Sequence, residues 1–190
     1  KLQPMDDRDL YENVSSEIIR AISKIVEILA KQEGFDKRIE FLSKFAKDIG
    51  KYGRISAERG LASPASQAAV AFIKFGSLLD KQTIKNYLKS ILEASNDANT
   101  CALVARSFNE LGSSYRDLDY SIEAEQASNK AISINSYHAM AYLRLQHALS
   151  AQAVSLFNSG DKEKAQLKKV AADKASAKHK ELMELENRDK

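Results

Sequence analysis

Three histidines, one cysteine, a serine pair beside a glycine and a group of carboxylates are the residues of this chain with the plainest chemical uses. His138 and His147 lie nine residues apart. On one helix that spacing puts them on opposite faces and about 13 Å apart along the axis, so they cannot share a metal. With His179 more distant still, structural or solvated roles are expected for all three. Cys101 is the single cysteine, which excludes a disulfide framework and a thiolate metal site. It has no histidine nearby to activate it, and its place near a helix start reads as a small buried side chain. The run Gly112-Ser113-Ser114-Tyr115 lacks the strand-turn-helix setting of a nucleophile elbow. No glycine-rich phosphate loop occurs. Glu181, Glu184 and Glu186 are interleaved with lysines and read as a solvated face. No convergent polar constellation emerges, so a non-catalytic protein with no metal and no cofactor is expected.

Basic residues gather in 20–54: Arg20, Lys24, Lys31, Lys37, Arg38, Lys44, Lys47, Lys51 and Arg54. Acidic residues interleave with them, as on an ordinary amphipathic surface. The net charge of +3 is nearly balanced and argues against nucleic acid as the partner. No apolar run approaches the roughly 20 residues of a membrane span. A lone cysteine and the lack of a secretory opening suit a reducing, cytoplasmic setting. The chain opens on Lys1 rather than Met, as an excised piece of a longer protein would.

The elements that must carry these residues are helices. The 190 residues include 2 Pro, 7 Gly and no Trp, too few breakers for anything but an almost entirely helical chain. Residues 1–60 read as an N-terminal helical segment and 61–190 as one continuous helical array. Leu10, Val14, Ile18, Ile22, Ile25 and Leu29 give an apolar face over 9–32. Phe35, Ile39, Leu42, Phe45, Ile49 and Tyr52 give another, which Gly50, Gly53 and Gly60 weaken. Pro64 suits the first turn of the next helix, with Ser63 as its cap. Thr83–Ala94 is the expected partner of that helix. Helices over 101–117, 122–134, about 137–158 and from about Lys162 follow. Gly160 is the expected stop before the last of these, and Asp161 the cap.

Phe108, Leu111, Gly112 and Tyr115, followed by Ala124 and Ala131, resemble the tetratricopeptide repeat, a family whose units of about 34 residues are two antiparallel helices. In this resemblance Gly112 lets the second helix approach, Ala124 and Ala131 supply the small facing surface, and Phe108, Leu111 and Tyr115 fill the space around the contact. Leu149, Ala153, Leu156, Gly160, Ala165 and Ala172 repeat the pattern 41 residues on. The seven extra residues are two helical turns and leave the face unchanged. Ser128, Asp119 and Ser136 depart from the family's usual aromatic, glycine and proline. The resemblance implies an all-α fold of antiparallel helix pairs forming a short α-solenoid or right-handed superhelix. It implies a scaffold or adaptor that binds another protein or peptide through Arg106, Asn109, Ser113 and Arg116 of a first helix. With Asn109 and Ser113 at the clamp positions, the family's clamp for a terminal carboxylate is not implied.

A second architecture fits the same residues. If 9–58 is one arm and 101–158, which contains no Pro, runs as one helix, the chain is similar to a BAR-like dimeric module that binds anionic membranes by its basic face. The two differ over Leu118–Asp119 and Asn135–Ser136, where a repeat must turn and an arm must not.

Overall fold

A computed structural model describes residues 35–75 and 79–188, together with Ser16, Glu17, Arg20, Ala21, Lys24 and Ile28. Most of the expected helix over 9–32, with its apolar face, lies outside the described residues. The described chain is all-helical. Its helices are α1 (Phe35–Glu58), α2 (Ala62–Phe75), α3 (Lys81–Ala94), α4 (Ala98–Tyr115), α5 (Leu118–Ile134), α6 (Ala139–Asn158) and α7 (Lys162–Arg188). They divide into two compact units, 1–95 and 96–190. The boundary expected at residue 60 therefore moves, because α2 and α3 both pack on α1.

The glycines of α1 explain that packing. Gly50 and Gly53 are one helical turn apart and do not interrupt the helix. A Cβ on Gly50 would run into the Tyr87 ring of α3, and one on Gly53 would sit 2.7 Å from Ala68 Cβ of α2 and from Ile91 Cδ1 of α3. These residues provide a surface on which two helices lie close, rather than a weak point. Leu42, Ala46, Ile49, Ala68, Phe72, Ile84, Leu88 and Ile91 fill the core of this unit. Phe72 stacks on Tyr87 with ring centroids 5.7 Å apart. The expected pairing of 65–94 as a mutual hairpin is replaced, since α2 and α3 each meet α1 far more than one another. Pro64 stands in the first turn of α2, where its missing N–H costs nothing. Ser63 lies inside that turn rather than capping it, and its Oγ is 2.8 Å from Ser16 Oγ.

In the second unit, α5 packs on α4, α6 on α5 and α7 on α6, and α6 also reaches α4. Short polar links between helices force each reversal. The Asp97 carboxylate accepts from Thr100 N at 2.6 Å and starts α4. Arg116 and Asp117 alone join α4 to α5, and Asp117 accepts from Asp119 N. Residues 135–138 join α5 to α6, and His138 Nδ1 accepts from Ala141 N to cap α6. Gly160, at φ 91°, ends α6, and Asp161 caps α7 through Lys164 N. The chain therefore turns at both places that a single helix over 101–158 would have to cross. That premise of the membrane-binding architecture is overturned: Asp117 and His138 satisfy helix-start N–H groups where an uninterrupted helix would satisfy them itself.

Gly112 has the expected role with a different neighbour. A Cβ there would lie 2.9 Å from Tyr120 Cβ, 3.5 Å from Asp117 O and 3.7 Å from Ser121 N. The two-residue link sets the last turn of α4 against the first turn of α5, so Tyr120 meets Gly112. Ala124 and Ala131, expected to face it, are fully buried further along α5. Tyr120 meets Phe108 edge-on at 5.9 Å and Tyr115 at 5.4 Å, which closes an aromatic cluster over the glycine. Phe108 and Leu111 are buried and Tyr115 is half-buried. In the second hairpin Leu149, Ala165 and Ala172 are buried at the corresponding positions.

Candidate binding groove

Because α5 lies antiparallel to both neighbours, α4 and α6 run in the same direction, and one groove of about 920 Å³ opens along them. Such volumes are typical of ligand sites. From α4 it is lined by Arg106, Asn109, Glu110, Gly112 and Ser113, from the two-residue link by Arg116 and Asp117, and from α5 by Leu118 and Ser121. The other side carries Arg144, His147, Ser150, Ala151, Val154, Ser155 and Asn158 of α6. All four expected partner-facing residues, Arg106, Asn109, Ser113 and Arg116, come together here. The six packing residues divide: Gly112 reaches the groove edge, and Phe108, Leu111, Tyr115, Ala124 and Ala131 stay away from it.

The four are not equally available. Asn109 Nδ2 donates to Arg144 O at 2.9 Å and so ties α4 to α6. Arg106 Nε donates to Glu110 Oε1 at 2.5 Å, one turn along the same helix. Ser113 and Arg116 are exposed. Among the described residues, neither the Arg116 nor the Arg144 side chain makes a hydrogen bond or ion pair. Arg144 is half-buried, and first its burial, then the neighbouring Arg106 charge, hold its pKa below the ordinary guanidinium value, with Glu110 acting the other way. Partial burial also lowers the His147 pKa, followed by Arg144 and then His179.

Arg144, His147, Ser150 and Val154 were not singled out as groove residues by sequence, yet the 41-residue register points to three of them. Arg106, Asn109 and Ser113 map onto His147, Ser150 and Val154, and all six line the groove. Arg144 has no such signal.

The remaining chemical candidates are dispersed. Cys101 is buried. His179 Nδ1 lies 2.9 Å from Ala139 O, which joins α7 to the start of α6. Among the described residues no three His, Cys, Asp or Glu side chains come together as a metal site, and no helix is long and apolar enough to cross a membrane. In comparisons with known proteins the chain matches no family model, no curated protein and no solved structure.

Proposed function

We propose that this chain is a non-catalytic interaction scaffold of the cytoplasm. In this reading, residues 98–188 act as two tetratricopeptide-like hairpins, and the groove between their first helices holds a segment of a partner protein. One observation carries the reading: side chains at corresponding positions of two successive hairpins line the same groove. A repeat that presents equivalent positions along one surface offers a partner a continuous track, which is how stacked helix pairs serve as binding surfaces. Phe108 and Leu149 each stand ten residues into their helix, so the two hairpins share their offset as well as their face.

The test is selection of 12-residue peptides from a random library on the intact chain. Selected peptides are then titrated against Ser113→Trp, which fills the groove, and Gln126→Trp, on the exposed outer side of α5. Binding lost with the first variant and kept with the second supports the reading. Binding that survives Ser113→Trp, or a selection that enriches nothing, refutes it.

A further inference from the structure

The same helix-ending hydrogen-bond pattern occurs three times in the described chain. After α1, Leu61 N bonds Ser56 O and Gly60 N bonds Ala57 O. After α6, Asp161 N bonds Leu156 O and Gly160 N bonds Phe157 O. After α4, Asp117 N bonds Gly112 O and Arg116 N bonds Ser113 O. This pattern needs a left-handed residue at its penultimate position, where glycine is at ease. Gly60 at φ 69° and Gly160 at φ 91° meet that need. The third site holds Arg116 at φ 52°, the one non-glycine with positive φ among the described residues. A strained residue persists where something else over-determines it, and such positions gather at binding sites. What the arginine gives up in backbone comfort leaves a guanidinium at one end of the groove.

Near the other end stands Arg144, half-buried, beside Arg106 and without an ion pair among the described residues. Arg144 is a partly desolvated cation beside a second cation, and its nearby carboxylate, Glu110, is already bonded to Arg106, so a further anion would stabilise it. Of the two carboxylates in the groove lining, Glu110 already bonds Arg106 and Asp117 already caps α5. Between the ends, the lining includes Asn109, Glu110 and Ser113 from α4 and His147, Ser150, Ala151 and Val154 from α6, with Glu110 as its one carboxylate, already engaged by Arg106.

Resting on the groove reading above, we infer that the groove takes an extended acidic segment, with Arg144 and Arg116 each receiving one carboxylate. Arg106 of α4, which stands beside Arg144, and Arg116, the residue that caps the end of α4, are ten residues apart. That is about 15 Å of helix axis, or four to five residues of extended chain. The segment therefore carries two acidic residues at that separation, with small or apolar residues between them. Arginine suits this use because its planar fork meets a carboxylate with two hydrogen bonds.

The experiment uses the intact chain and three fluorescent 12-residue probes. One holds two glutamates five positions apart in a Gly, Ser and Ala background, the second has glutamines there, and the third lysines. The expected result is that the glutamate probe binds at least tenfold tighter than the glutamine probe. Its affinity should fall with added salt, and by about tenfold in Arg144→Gln. Arg116→Gly should weaken the same probe while raising Tm, an outcome that a purely structural arginine would not give. Equal or better binding of the glutamine or lysine probe overturns the inference, and so does an Arg116→Gly variant that lowers Tm or leaves glutamate binding unchanged. Neutral or basic peptides that bind and are lost with Ser113→Trp would sink the acidic preference while leaving the groove reading standing. If no probe binds and the library selection also enriches nothing, both fail.

Discussion

Gly112 supplies room. It lies inside α4 rather than at its left-handed end, so a side chain there would be conformationally allowed but sterically opposed by Tyr120 Cβ. That atom is fixed to the backbone of α5 and cannot swing away. Gly112→Val should therefore cost about 3 kcal/mol, as overpacking does, with the better helix propensity of a non-glycine residue offsetting only part of it. Urea denaturation measures this, and a loss under 1 kcal/mol would mean that α4 and α5 part easily. The spacing of Phe108, Leu111, Gly112 and Tyr115 made the glycine's role legible. Tyr120 was not legible, because Leu118 to Ser121 reads as a lapse in the apolar pattern until the turn is known to be two residues long. His147 carries a second prediction at this scale. Its pKa is lower folded than unfolded, so the unfolded chain takes up the proton first as pH falls. Its contribution to stability is whole above the ordinary imidazole value of about 6.5 and is lost as pH drops from there towards the folded value. His147→Gln should flatten that part of the stability–pH curve between pH 8 and 5.5. An unchanged slope in the variant would contradict the assignment.

Helix boundaries in this chain are set by single side chains. Asp80, Asp97, Asp117, His138 and Asp161 each accept a hydrogen bond from the first turn of the helix that follows. Such signals are local, which is why the helices from Lys81 onward fall within a few residues of their expected places. Asp97→Ala should cost about 1 kcal/mol, and hydrogen exchange should rise in the first turn of α4 before it rises elsewhere. Uniform loss of protection across the unit would show that the cap holds more than that turn. What each helix packs against is a different kind of information. The pairing of α2 with α3 was misread because the deciding feature, the open surface at Gly50 and Gly53, is one turn of α1 that reads as two helix breakers. Polar ties between helices are also invisible in periodicity. Gln152 is buried and donates to Ser121 O at 3.1 Å and to Glu125 Oε2 at 2.8 Å, and Lys168 joins the same carboxylate at 2.8 Å, so α5, α6 and α7 meet at one acceptor.

For the whole molecule, composition was enough to give an all-α chain, since two prolines and no sustained strand alternation leave little else. The division near residue 95 was not legible, because it depends on which helices α1 can receive. The groove was half legible. Its α4 wall followed from the repeat pattern; the 41-residue register carries a signal for part of the α6 wall that the packing positions alone do not reveal, and Arg144 emerges only once α4 and α6 lie side by side. The function proposed here depends on that groove receiving a partner. The most direct measurement is an amide chemical-shift titration of the ¹⁵N-labelled chain with the paired-glutamate peptide. The largest shifts should fall on Ser113, Arg116, Arg144, His147, Ser150 and Val154, on both walls at once. Shifts confined to the outer faces of α5 and α7, or none at saturating peptide, would contradict it.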